Sequence, residues 1–298
     1  MFARAGREVV DAVVRSGAQD CAMPQFVRHT NDGDLTFNYV ISGSGPRVLF
    51  LNGLWASIET FTGMIERLSA RWEVLVMDPR GIGGSTIPDR AYTLADCADD
   101  VAALCDHVEW GPSPVVGLSF GGMVALEFAL GHPERVTNLV LLATSAGGEA
   151  GSSYPLHELM ALSSKKRNLE IAKLLDTRPP KRPRLRRRLK RALRVRWRRL
   201  RRVVARQPAR QKHRAPTRGE ILQVEARAAH DVCDRLHRIM VPTLVAAGRF
   251  DLLAPVANAE QMAVRMPNAE MRVYEGGHMF IVQDPAAVTE IDAFVTRG

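Results

Sequence analysis

The chain has 298 residues, 46% hydrophobic and 24% charged, which supplies a full globular core and excludes a disordered or fibrous protein. It contains no apolar run of about 18 residues that would span a membrane. The net charge of +9 hides a division: residues 165–218 hold 24 Lys and Arg against Glu170 and Asp176, while the rest holds 17 against 30, so an acidic body carries one intensely basic stretch.

In chain order, residues 1–27 form an N-terminal extension with a short amphipathic helix at 8–15. Its apolar stretches are too interrupted by charge for a secretory signal, so the expected location is cytoplasmic. Residues 35–41 and 47–51 predict strands, the second apolar throughout, as a buried strand requires. A helix at 61–68, a buried strand at 74–78 and a helix at 94–107 follow. Then come a strand at 114–118, a helix after Ser119 and a strand at 139–142. This alternation predicts the α/β class, a mostly parallel twisted sheet flanked by helices.

The pattern breaks for about 80 residues and resumes with strands at 242–247 and 271–274 and a closing helix at 286–296. The division expected is therefore a core over 28–145 and 225–298, interrupted by a helical insert at 146–224 that is strongly basic at 165–218. Within the insert, Leu185, Leu189, Leu193, Trp197, Leu200 and Val204 form a helical stripe. Fourteen of the 22 residues from Lys181 to Arg202 are basic, so like charges surround that stripe. The stripe can pack on the core and leave a solvated basic face, or the charge can hold an anionic surface or polyanion.

Chemistry concentrates at Gly117-Leu118-Ser119-Phe120-Gly121, which reads as strand, sharp turn and helix with a serine at the apex. Small residues are needed there because the turn strains the serine backbone and crowds its neighbours. A serine hydroxyl becomes a nucleophile when a histidine takes its proton and a carboxylate fixes the tautomer of that histidine. Downstream, Asp251 follows one strand and His278 the next. Parallel strands bring such ends to one edge, so Ser119, Asp251 and His278 are the candidate triad. Taken singly, Asp251 also suits a turn or helix cap and His278 a surface loop. The oxyanion donors expected are the N–H of Phe120 and that of Leu54, with Gly53 letting the backbone approach; an ordinary Asn52-Gly53 turn is the simpler alternative. Cys21, Cys97, Cys105 and Cys233 lack metal-site spacing and read as reduced packing residues.

Two further stretches carry a resemblance. Asp78-Pro79-Arg80-Gly81-Ile82-Gly83-Gly84-Ser85 and His132-Pro133-Glu134-Arg135-Val136, with the serine elbow, resemble the α/β-hydrolase superfamily over about residues 30–145 and 225–298. That resemblance implies a nucleophile at Ser119, an acid at Asp251, a base at His278, donors at Leu54 and Phe120, and an insert acting as a lid. The serine excludes the aspartate-nucleophile branches. Asn52-Gly53 departs from the His-Gly of many members. There, at Pro242-Thr243-Leu244-Val245 and at Met266-Pro267-Asn268-Ala269-Glu270, the chain is similar to intracellular polyhydroxyalkanoate depolymerases, and enol-lactonases and haloperoxidase-like esterases share most of this. The implied activity is hydrolysis of a carboxylic ester or lactone through an acyl-enzyme, on a small-molecule ester, lactone or polyester, with no metal or organic cofactor. The competing class is a non-catalytic binding protein on the same fold, using the basic insert to hold a polyanion.

Overall fold

Eight strands make one sheet in the order β1-β2-β4-β3-β5-β6-β7-β8. They are β1 (Gln25–Thr30), β2 (Gly33–Ser42), β3 (Arg47–Leu51), β4 (Glu73–Met77), β5 (Ser113–Leu118), β6 (Val136–Leu142), β7 (Thr243–Gly248) and β8 (Ala269–Tyr274). The computed structural model describes residues 23–31, 33–151, 154–178 and 215–297. The helix expected at 8–15, Cys21 and the Leu185–Val204 stripe lie outside the described residues.

β3 to β8 pair in parallel, whereas β1 and β2 join antiparallel at one edge. Sequence patterning misses β1 for a physical reason: at the edge it buries only Phe26, so it lacks a clear apolar period. The central strands bury both faces. Leu49 and Leu51 of β3 enter one core, with α2 (Leu94–His107), α3 (Phe120–Gly131) and α6 (Val256–Arg265). Val48 and Phe50 enter the other, with α1 (Ile58–Ser69) and α8 (Pro285–Val295). Two apolar faces at a period of two account for the uninterrupted hydrophobic runs.

Two polar devices lock the core near the carboxyl ends of the strands. Asp100 of α2 is fully buried and accepts from Arg80 Nε at 2.6 Å, Arg80 Nη2 at 2.8 Å and Arg28 Nη1 at 2.5 Å. Asp78, just past β4, accepts the N–H of Ile58 at 2.6 Å and of Gly84 at 3.1 Å, tying the start of α1 to the turn at 81–85. That turn packs so tightly that a Cβ on Gly83, where φ is +60°, would lie 2.1 Å from Asp78 Oδ2.

Burial outweighs these hydrogen bonds and pushes the Asp78 carboxyl from 3.8 up to about 6. Between those values the folded state holds a proton that the unfolded chain releases, so stability falls as pH rises through this window and levels off above it. Between about pH 4.5 and about pH 7 the contribution is on the order of 2 kcal/mol. Urea unfolding of the parent and Asp78→Asn across this range will show the parent losing that much more stability than the variant. Equal pH slopes would refute the assignment.

The insert leaves the core after β6. Its described elements are two 3₁₀ segments (Gly148–Ala150 and Leu156–Ala161), α4 (Ser164–Leu175) and α5 (Arg218–Ala228). Leu156 and Leu159 pack on Leu253, joined by Leu54, Tyr154, Leu162, Ile171, Leu174 and Leu175. The expected end of the insert at residue 224 falls inside α5, which runs on to Ala228 under its own Thr217 capping box. Among the described residues no helix is long and apolar enough to cross a membrane.

Candidate active site

Ser119 sits between β5 and α3 with φ 56° and ψ −115°, a conformation costly for any residue with a side chain. Neighbouring backbone holds it there. Its N–H donates to Leu142 O at 2.8 Å, and Thr144 Oγ1 donates to Ser119 O at 2.7 Å. A Cβ on Gly117 would lie 2.5 Å from Gly121 O, and one on Gly121 2.0 Å from Leu51 O. Glycine is therefore a steric requirement at both positions. Ser119 remains half-exposed between the buried Leu118 and Phe120.

The two other candidate triad residues meet directly. His278 Nδ1 lies 2.7 Å from Asp251 Oδ2, and both residues are buried. The second carboxylate oxygen of Asp251 accepts the N–H of Leu253 at 2.8 Å and of Ala254 at 3.0 Å, which fixes the plane that the imidazole faces. β5, β7 and β8 deliver Ser119, Asp251 and His278 to the same carboxyl edge. Among the described residues the His278–Asp251 hydrogen bond is formed, and no hydrogen bond joins the Ser119 hydroxyl to His278. Such bonds commonly tighten only when substrate is bound.

The loop after β3 also reaches this edge. Gly53 lies against the elbow, but a Cβ there would be 3.6 Å from Leu118 O and 3.8 Å from Ser119 Cβ, ordinary contacts. The unusual backbone of this loop falls at Trp55, with φ 60°. Two bonds from α5 hold it. Trp55 N–H donates to Gln223 Oε1 at 2.7 Å, and the indole N–H donates to Glu220 O at 3.1 Å. The N–H of Leu54 has no acceptor among the described residues, and that of Phe120 is an orphan donor in the first turn of α3. The Asn52 amide is buried, and neither of its polar atoms has a partner among the described residues.

A cavity of about 680 Å³ opens beside this loop, between Trp55, Asp78 and the 81–85 turn of the core and Arg167, Asn168 and Glu220 of the insert. Ser119, Asp251 and His278 do not line it. Sequence reading missed Gln223, because a glutamine on a polar helix carries no local signal of an acceptor buried 168 residues from its donor. Among the described residues no group of three or more His, Cys, Asp or Glu is arranged to hold a metal ion.

Comparison with known proteins gives the fold family. A family model described as alpha/beta hydrolase fold matches residues 46–285. A poly(3-hydroxyalkanoate) depolymerase of Ectopseudomonas oleovorans is 31% identical over 249 residues, covering 82% of each chain. 3-Oxoadipate enol-lactonase 2 of Acinetobacter baylyi is 25% identical, over 89% of this chain and 94% of its own. The crystal structure of a hydrolase from Pseudomonas aeruginosa superposes with a TM-score of 0.70 at 27% identity, over 92% of this chain and 99% of that one.

Proposed function

The chain belongs to the α/β-hydrolase fold family, and within it we propose a serine hydrolase that cleaves a carboxylic ester or lactone through an acyl-enzyme on Ser119. The observation that carries this reading is the buried 2.7 Å pair of His278 and Asp251, presented at the edge where the strained elbow holds Ser119. His278 Nε2 takes the serine proton as Oγ attacks the carbonyl carbon, while Asp251 holds Nδ1–H and steadies the imidazolium. The tetrahedral oxyanion is met by the N–H groups of Leu54 and Phe120. The intermediate collapses, and the leaving alkoxide receives the proton from His278. Water, deprotonated by the same histidine, then releases the acid and restores the serine.

The similarity to a poly(3-hydroxyalkanoate) depolymerase and an enol-lactonase supports an acyl ester as the bond cleaved. The apolar cluster of Leu54, Leu156, Leu159 and Leu253, where insert meets oxyanion loop, favours an apolar chain on one side of that bond. The test is a panel of p-nitrophenyl esters of increasing acyl length and simple lactones, with intact-mass analysis of the enzyme quenched during turnover. One acyl group on the peptide containing Ser119 is expected. Turnover with the acyl group elsewhere would overturn the nucleophile. Inactivity across the panel with salt-dependent heparin binding would favour the non-catalytic binding class.

A further inference from the structure

The first stem of the insert ends on the two loops that carry the acid and the base. α4 closes at Leu175, and its last carbonyls have no acceptor role inside the helix. Leu174 O accepts the N–H of Leu252, beside Asp251, at 2.9 Å, and Leu175 O accepts the N–H of His278 itself at 2.6 Å. Two residues on, the Thr177 N–H donates to Phe250 O at 3.0 Å. A second tie comes from Gln283, in the single turn α7 (Phe280–Gln283). Its Oε1 accepts the Gly277 N–H at 2.7 Å, and its Nε2 donates to Asp176 Oδ2 at 3.3 Å. Asp176 is gripped in turn by the Arg178 guanidinium, which lies over the Phe250 ring.

The contact is too close for a side chain: a Cβ on Gly277 would lie 2.0 Å from Leu175 O, and one on Gly276 2.6 Å from Gln283 Oε1. Both peptide N–H groups leading into the base, those of Gly277 and His278, are thus spent on this junction, one to Gln283 and one to α4. The peptides on either side of the His278 Cα decide where its imidazole points, and this junction fixes the one that precedes it.

We propose that Gln283, with Asp176 and the C-terminal turn of α4, is the positioning device of the base, so that the insert is a working part of the active site. The inference rests on the reading of Ser119, Asp251 and His278 as the triad. Gln283 touches no reacting atom and acts through the backbone of His278.

Gln283→Glu separates the two ties. It keeps an acceptor for the Gly277 N–H but sets a second carboxylate against Asp176. On the best p-nitrophenyl ester, kcat will fall about 10- to 100-fold with KM within about twofold, as expected when a catalytic group is misplaced. Labelling of Ser119 by a fluorophosphonate, which needs no substrate, will slow in parallel. Adding Asp176→Asn supplies the missing donor and returns both rates to within about threefold of the parent, a coupling that a double-mutant cycle reads directly. Gln283→Met removes both ties without charge; it will show the same loss, and Asp176→Asn will not rescue it.

Parental rates in both Gln283 variants overturn the proposal, as does a Gln283→Glu loss untouched by Asp176→Asn. So does a loss in Gln283→Glu and Gln283→Met that merely tracks the unfolded fraction in thermal melts. Parental turnover by Ser119→Ala would sink the triad reading separately, whatever the Gln283 variants do.

Discussion

Ser119→Ala will lower kcat on esters by roughly 10⁶-fold while leaving the thermal midpoint near that of the parent. The serine supplies only its hydroxyl to the site, since its backbone bonds to Leu142 and Thr144 do not involve Oγ. His278→Ala will cost nearly as much, and the double variant little more, because nucleophile and base act as a unit. Asp251→Asn is more discriminating. One carboxylate oxygen faces the imidazole and the other accepts two backbone N–H groups, so an amide must turn its NH₂ towards a donor on one side or the other. With the NH₂ towards the backbone, the Leu253 and Ala254 N–H groups lose their acceptor; with it towards the imidazole, those two bonds survive but Nδ1 must accept, which is the wrong tautomer, and a fall of about 10⁴-fold in kcat is expected. Steady-state kinetics on an ester that the parent hydrolyses decides the matter. More than a few per cent of parental turnover in Ser119→Ala would discard the mechanism.

Asp100→Ala will destabilise the fold by about 3–5 kcal/mol, the usual cost of stranding a buried partner charge. Arg80 is almost wholly buried, stacked on Tyr92 and also donating to Asp96 O, so its charge cannot escape to water when the carboxylate is removed. Arg28 of β1 loses the same partner, which loosens the edge hairpin. The thermal midpoint should drop by on the order of 10 °C. The double replacement Asp100→Leu with Arg80→Met should recover much of the loss, because an apolar pair avoids the desolvation that the ion pair carries. Urea melts of the three proteins test this. A loss below about 1 kcal/mol in Asp100→Ala would show that the charges relax into water.

The core and the placement of Ser119, Asp251 and His278 at one sheet edge were legible in the sequence because each rests on local patterning. Strands buried on both faces produce unbroken apolar runs, and a parallel sheet places the residue after each run at one edge. Ser119, Asp251 and His278 therefore announce themselves by position alone. β1 was not legible, since an edge strand with one buried residue leaves no period to read. The turn at Trp55 was not legible for a related reason: its positive φ is accompanied by a bond to Gln223 of α5, far along the chain. Gln283 and Asp176 were likewise invisible, because their pairing spans 107 residues and depends on where α4 stops. Gly276-Gly277 did signal that something approaches closely; only the fold shows that it is the end of α4.

Both described stems of the insert are anchored on loops of the candidate site, α4 on those of Asp251 and His278 and α5 on that of Trp55. The insert is therefore not an exchangeable cassette. A graft that replaced residues 146–224 with the corresponding stretch of another hydrolase would have to bring carbonyls for Leu252 and His278 and an acceptor for Trp55, or it would disarm the host.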